Sequence, residues 1–230
     1  MISFYKGTKQ NTGSASRIWY STSEKGVFVE MLKQHGWDAT KGPSGVGTFK
    51  ESKNDPNKRI LVKLTLEEAC ELLQLIEFNA NAHVLNSLAK KHNELIGKYN
   101  PLIENASTAL KEKGETPLLK YLPAQTVELR KFAAFHKGAK NTTQIFLNAW
   151  DKDESQYVFK LVKTDPQNTT DSGKVSISLL LKDRESRLLK EYLQVAIAAI
   201  LSAEIEYSNK SSSEESQHQQ AEDVPSETSQ

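Results

Sequence analysis

Apolar and polar residues alternate over Ser14–Ser21, residues 26–34 and Arg59–Leu64, and the same period of two returns over residues 143–150, residues 157–164 and Lys174–Leu181. That period marks strands with one covered face. Polar turns punctuate the first set, Ser23-Glu24-Lys25 after the first strand and Asp55-Pro56-Asn57 before the third. Behind each set the period lengthens to that of a helix. Leu66, Ala69, Cys70, Leu73 and Ile76 follow Thr65-x-x-Glu68, a capping box in which side chain and backbone satisfy each other reciprocally. Leu188, Leu189, Tyr192, Leu193, Val195 and Ala196 follow Asp183, the expected cap of the second helix.

The two sets read as copies of one unit. Phe4-Tyr5-Lys6-Gly7-Thr8-Lys9 matches Phe135-His136-Lys137-Gly138-Ala139-Lys140, and the same offset places Trp19 on Trp150. Val29-Glu30-Met31-Leu32-Lys33 then falls on Phe159-Lys160-Leu161-Val162-Lys163, and Arg59-Ile60-Leu61-Val62 on Lys174-Val175-Ser176-Ile177. Three collinear matches predict a duplication. The fold class expected is α+β, two tandem ββββα repeats over 1–78 and 131–208. A helical connector over 79–130 joins them: residues 80–99 prolong the first helix, 101–113 form another, and 114–123 loop with a turn at Leu118-Leu119. Residues 209–230, rich in Ser, Gln and Glu and without an aromatic residue, predict a disordered acidic tail.

Alternation sorts the strand residues by face. Ile60, Val62 and Leu64, with Val175, Ile177 and Leu179, predict the surface that packs on the helix, joined by Val27, Val29, Met31, Tyr157, Phe159 and Leu161. The other face carries Phe28, Glu30 and Lys63 in the first unit and Lys160, Ser176 and Ser178 in the second. In the first strands Phe4 and Phe135 are expected inside, with Tyr5 and His136 open; the faces of Trp19 and Trp150 stay undecided.

Charge changes this picture only when divided. The chain has 230 residues and a formal net charge of +1, which taken whole argues against a polyanionic partner. The tail holds five acids and one base, so the remainder carries +5. Residues 1–64 alone hold eleven bases against five acids. A basic first unit thus precedes a mixed middle and an acidic end. Cations beside aromatic rings on an open antiparallel face suit single-stranded nucleic acid, where phosphates are neutralised and unstacked bases lie on rings.

Catalytic and metal chemistry find little support. His35, His83, His92, His136 and His218 lack a Cys or carboxylate at ligand spacing, and the lone Cys70 falls on the apolar stripe of its helix, a structural thiol. Glu67 and Glu68 are explained by the helix start, and Asp151, Asp153 and Glu154 by a solvated hairpin turn. Residues 41–48, glycine-rich, lack the Gly-Lys-Ser/Thr of a phosphate loop and predict a mobile hairpin tip. No cofactor and no metal is expected, and the protein is not expected to be an enzyme. No run of 18 apolar residues predicts a membrane span, and the start lacks a signal-peptide pattern, so an intracellular protein of cytoplasm, nucleoid or nucleus is expected.

Lys6-Gly7-Thr8-Lys9 and Lys137-Gly138-Ala139-Lys140 resemble the Lys-Gly-Lys-Ala-Ala-Leu signature of plant Whirly proteins, with the second lysine displaced and the apolar end absent. With strand-rich units ending in a helix, the chain resembles the Whirly, positive-cofactor-four and Pur group of single-strand-binding proteins over residues 2–78 and 131–207. The resemblance implies units paired through their helices, here as an intramolecular pseudo-dimer, with single-stranded DNA or RNA across the outward sheet surfaces; the long helical insertion departs from it. The function expected is single-stranded nucleic-acid binding, DNA favoured, with low sequence preference. RNA annealing, or a protein-interaction scaffold using the connector and acidic tail, are the alternatives. Tyr5, Lys6, Lys9, Arg17, Trp19, Phe28, Lys33 and Lys63 are the contact residues expected in unit one. His136, Lys137, Lys140, Trp150, Lys160 and Lys163 are those expected in unit two. The chain is expected as a monomer of paired repeats or as a homo-oligomer.

Overall fold

The computed structural model describes residues 1–41, 43–106, 121, 127–150, 153–165 and 173–222, with backbone alone at 103–106, 153–155 and 210–222. Unit one comprises β1 (Ile2–Lys6), β2 (Ser14–Ser21), β3 (Gly26–Lys33), the short hairpin β4 (Gly36–Asp38) and β5 (Val46–Thr48), β6 (Arg59–Leu64) and α1 (Leu66–Ala106). Unit two comprises β7 (Phe132–Lys137), β8 (Thr142–Trp150), β9 (Asp153–Thr164), β10 (Lys174–Leu181) and α2 (Asp183–Glu222). Each unit forms a four-stranded antiparallel sheet, ordered β1-β2-β3-β6 and β10-β9-β8-β7, so the chain is α+β with tandem ββββα units. The β4–β5 hairpin is a separate two-stranded insertion between β3 and β6.

Sheets and helices share one contiguous apolar cluster. Ile18, Val29, Met31, Val62 and Leu64 of the first sheet, Leu72 and Ile76 of α1, Leu147, Phe159, Leu161 and Leu179 of the second sheet, and Leu189, Leu193 and Ile197 of α2 all belong to that cluster. These are the faces the alternation marked, and burying them is the main driving force of the fold. Cys70 is half-buried and packs against the same cluster.

Helix starts follow the capping chemistry. Thr65 N donates to Glu68 Oε2 (2.9 Å) and Glu68 N to Thr65 Oγ1 (3.2 Å). In α2 the cap lies one residue before Asp183: Lys182 N donates to Glu185 Oε2 (2.9 Å), and Lys182 O accepts from Ser186 N (2.9 Å). Asp183 instead pairs with Arg187 one turn on, at 2.8 Å.

The connector departs from expectation. α1 continues through Pro101 to Ala106 instead of ending before it. The carbonyl that a proline ring crowds is that of residue 97, here glycine, whose backbone adapts most readily. The expected helix over 101–113 is thus the end of α1 as far as Ala106; its remainder and the Leu118-Leu119 turn lie outside the described residues. The chain returns along α1 on two buried asparagines seven positions apart. Asn79 donates to Arg130 O (2.9 Å) and accepts from Arg130 N (2.8 Å), and Asn86 treats Val127 the same way, at 2.9 Å each. A primary amide offers one donor and one acceptor side by side, which matches a single backbone residue. The Arg130 guanidinium lies 3.9 Å from the centre of the Phe78 ring.

α2 also runs past Asn209 to Glu222, into the stretch whose composition predicts disorder. Extending an existing helix needs no new nucleus, and residues 209–222 contain no proline or glycine. Residues 223–230 lie outside the described residues.

Tyr157, on β9, is buried in the apolar cluster. Burial, with Asp183 nearby, pushes its phenol up to about 12. The folded state therefore holds the proton after the unfolded chain has released it near pH 10. Stability is complete below pH 10 and falls as pH rises toward 12. Alkaline unfolding followed by circular dichroism should show that loss, and Tyr157→Phe should make it shallower; an identical profile for the variant refutes it.

Candidate nucleic-acid interface

Strand register builds the open face of the first sheet in three rows. Trp19 faces Phe28, which faces Lys63; Ser3, Arg17, Glu30 and Leu61 form the second row; Tyr5, Ala15, Leu32 and Arg59 the third. The Trp19 and Phe28 rings stack, 5.4 Å between centroids and 8° from parallel. The Arg17 guanidinium stands 5.9 Å from the Trp19 ring centre. Glu30, with no exposed side-chain surface, is clamped by both arginines: Arg17 Nε donates to Oε2 (2.6 Å) and Arg59 Nε to Oε1 (2.8 Å). Two guanidiniums on one carboxylate leave the row cationic, and the clamp holds Arg17 beside the aromatic pair.

The β4–β5 hairpin overhangs one end of this face. Its root is fixed by the buried Gln34 side chain, whose Oε1 accepts from Thr8 N (2.8 Å) and Gly13 N (3.2 Å). Its Nε2 donates to Thr8 O (2.8 Å) and Gly36 O (2.7 Å). His35 N donates to Thr48 O (2.8 Å). Gly45, at φ +77°, lies against Trp37, where a Cβ would meet the indole nitrogen at 2.5 Å. At its tip Asp38 accepts from Thr40 N (3.0 Å) and Thr40 Oγ1 (2.6 Å), which holds its carboxyl below its ordinary range. The segment expected to be a mobile tip is therefore the end of a pinned hairpin, with Gly42 outside the described residues. Tyr5, Leu32, Val46 and Phe49 line a cavity of about 500 Å³ between hairpin and sheet, with Arg17, Lys50 and Lys53 also on its wall.

The second sheet's open face carries Ala133, Phe146, Lys160 and Ser178 in one row and Phe135, Gln144, Val162 and Ser176 in another. Phe135 is 59% exposed.

The expected contact residues divide into four groups. Tyr5, Arg17, Trp19, Phe28 and Lys63 share the open face of the first sheet, and Lys137 and Lys160 that of the second. Lys9 and Lys140 are exposed in the turns after β1 and β7. Lys33 and Lys163 lie on the helix side: Lys33 lines a cleft between the units with His35 and Lys58, and Lys163 Nζ donates to Pro56 O (2.8 Å). Lys6 and His136 also face the helices. Lys6 Nζ contacts both carboxylate oxygens of Glu185 (2.6 and 2.7 Å), and His136 Nε2 lies 3.1 Å from Glu68 Oε1, though not aligned for a hydrogen bond. Each first strand thus reaches the capping glutamate of the other unit's helix. Trp150 stands beside the register shift at Ala149/Trp150.

That crossed arrangement corrects the repeat alignment. Lys6 corresponds to His136, not Lys137, and Phe135 corresponds to Tyr5. The sheet rows agree, with Ile2, Ile18, Val29 and Val62 matching Phe132, Leu147, Phe159 and Leu179. Trp19 therefore matches Asn148. A slip of one residue exchanges the faces of a strand, so Phe135 lies open and His136 inward, the reverse of expectation. Phe135, Phe146, Arg59 and the hairpin's Phe49, Lys50 and Lys53 were not anticipated. Keeping one alternation through β7 and β8, where Phe132, Ala134, Ile145 and Leu147 lie inside, reveals the first two.

Among the described residues, no group of three His, Cys, Asp or Glu side chains is placed to hold a metal ion. No described helix is long and apolar enough to cross a membrane. No family model and no curated protein sequence matches the chain. It is similar to the solved structure of WHY1 from Arabidopsis thaliana, with 9% identity and a TM-score of 0.47, over 92% of this chain and 90% of that one. It is also similar to MRP1/MRP2 of Trypanosoma brucei, with 10% identity and a TM-score of 0.45, over 85% and 82%. The interface is therefore read from the chain's own residues.

Proposed function

We propose that the protein binds single-stranded nucleic acid, DNA favoured and with little sequence preference, across the open faces of its two sheets, as an intramolecular pseudo-dimer without catalytic activity. The observation that carries this reading is the Trp19/Phe28 stack on a solvent-facing sheet, with Arg17 at one side and Lys63 in register at the other. Bases of a duplex are already stacked, so a ring platform favours single strands, while lysine and arginine supply the phosphate attraction. Fluorescence anisotropy with labelled single-stranded DNA, single-stranded RNA and duplex DNA at two salt concentrations tests it. Affinity for an oligo-dT strand should fall steeply with salt, and Lys63→Ala should reduce the slope of log K against log salt by about 0.7. Salt-insensitive binding, or a preference for duplex, defeats the reading.

The acidic end competes with nucleic acid for the cationic surface. Deleting residues 211–230 should tighten binding at low salt; unchanged affinity removes that role.

A second reading, association through the connector, draws on α1. Leu85, His92 and Tyr99 alternate at heptad spacing with Leu88, Leu95 and Leu102, and the five apolar members are 50–61% exposed. A second copy would cover this stripe. Sedimentation equilibrium should then give a mass above 25.8 kDa that the L88E/L95E variant returns to that value. A monomeric wild-type chain retires this reading.

A further inference from the structure

We propose that the cavity beneath the β4–β5 hairpin takes one unstacked nucleotide of the bound strand, its base on Tyr5 and its phosphate against Arg17, Lys50 and Lys53. This rests on the single-strand reading above. About 500 Å³ is within the size range of small-molecule sites. The wall divides chemically as a nucleotide does: Leu32, Val46, Phe49 and Tyr5 present apolar and aromatic surface, and the charged groups are three cations with no carboxylate.

The ring geometry limits the occupant to a single base. Tyr5 and Phe49 are 6.0 Å apart and tilted by 59°, in contact with each other, which leaves no slot for a ring between them. Tyr5, 60% exposed, keeps one face free for stacking. The site is preformed, because Gln34 and the His35–Thr48 bond hold the hairpin root and Arg59 Nη1 donates to Lys53 O (3.3 Å). A preformed site loses less entropy on binding. Among the described residues unit two has no counterpart, and the connection from β9 to β10 spans only residues 165–173, where 34–58 join β3 to β6. One such site among the described residues gives the two similar faces different roles.

The test pairs two ligands with two variants. Thymidine 5′-monophosphate titrated into the full chain should perturb backbone amide NMR signals of β1, β4 and β5. Val46→Glu, on the exposed hairpin edge, should abolish those perturbations and weaken an oligo-dT strand about threefold to tenfold while keeping a dispersed spectrum. The double variant W19A/F28A should weaken the oligonucleotide yet leave the mononucleotide perturbations in place. If oligo-dT binds but the mononucleotide perturbs nothing near the hairpin, or inorganic phosphate gives the same pattern, the nucleotide pocket is refuted and the single-strand reading stands. If neither ligand binds, both fall together.

Discussion

Replacing Trp19 and Phe28 together with alanine should lower the affinity for an oligo-dT strand by about 1–3 kcal/mol, roughly five- to 150-fold, which is the contribution of one base stacked on an aromatic platform. Both rings are half-buried and lie on the open face, opposite the apolar cluster, so the loss is of contact surface and not of core. Arg17 and Arg59 stay clamped on Glu30, which keeps the neighbouring row cationic in the variant. Residual binding should therefore remain salt-dependent. The conservative variant W19F/F28Y keeps two flat rings and should retain most of the affinity. Equal affinity for the wild type and the double alanine variant, measured by anisotropy with both proteins folded, would show that the strand does not lie on this face.

Lys6→Glu acts on stability. Lys6 Nζ lies 2.6 and 2.7 Å from the two carboxylate oxygens of Glu185, both side chains less than a third exposed. Losing a charge-assisted bond costs about 1.5–3 kcal/mol. A second carboxylate facing Glu185 adds repulsion, so the total is about 2–4 kcal/mol. For a chain of this length the melting temperature falls by roughly 5–12 °C. Charge reversal at both ends, K6E with E185K, should restore part of the loss. It cannot restore all of it, because Glu185 also receives Lys182 N at the start of α2. A phosphate-contacting Lys6 behaves differently: Lys6→Glu then leaves melting unchanged and weakens oligonucleotide binding. Thermal unfolding and anisotropy on the same preparations separate the two roles.

Much of the fold is legible in the chain because its strands are covered on one side only. Alternation identifies Val29, Val62 and Leu64 as inward and Phe28 and Lys63 as outward, and the register agrees. The Thr65–Glu68 capping box is equally local, its two bonds spanning three residues. Asn79 and Asn86 are different. On a helix of mixed composition they resemble solvated positions, and only the returning connector makes them buried hydrogen-bonding partners. The hairpin resembles a glycine-rich loop until Gln34, distant in sequence from Thr8 and Gly13, ties its root to the β1–β2 turn.

The Lys-Gly-x-Lys match misled for a related reason. It falls where β1 and β7 end and their turns begin. Eight positions separate Lys6 from Ser14, whereas five separate Lys137 from Thr142. Similar residues aligned across turns of unequal length carry no register, and a shift of one residue moved Phe135 inward and His136 outward on paper.

The sequence by itself determined two antiparallel sheets, each with an apolar face, a helix to cover it and an opposite polar face, which in the first unit carries a ring and cations, because period and capping are properties of neighbouring residues. Only the tertiary structure decided which cations remain available. The basic first 64 residues place Lys6 on Glu185, Arg17 and Arg59 on Glu30, and Lys25 on Glu204. Ion pairs depend on what the fold brings within about 4 Å, and the partners of Lys6 and Lys25 lie in the other unit, where no local pattern can announce them.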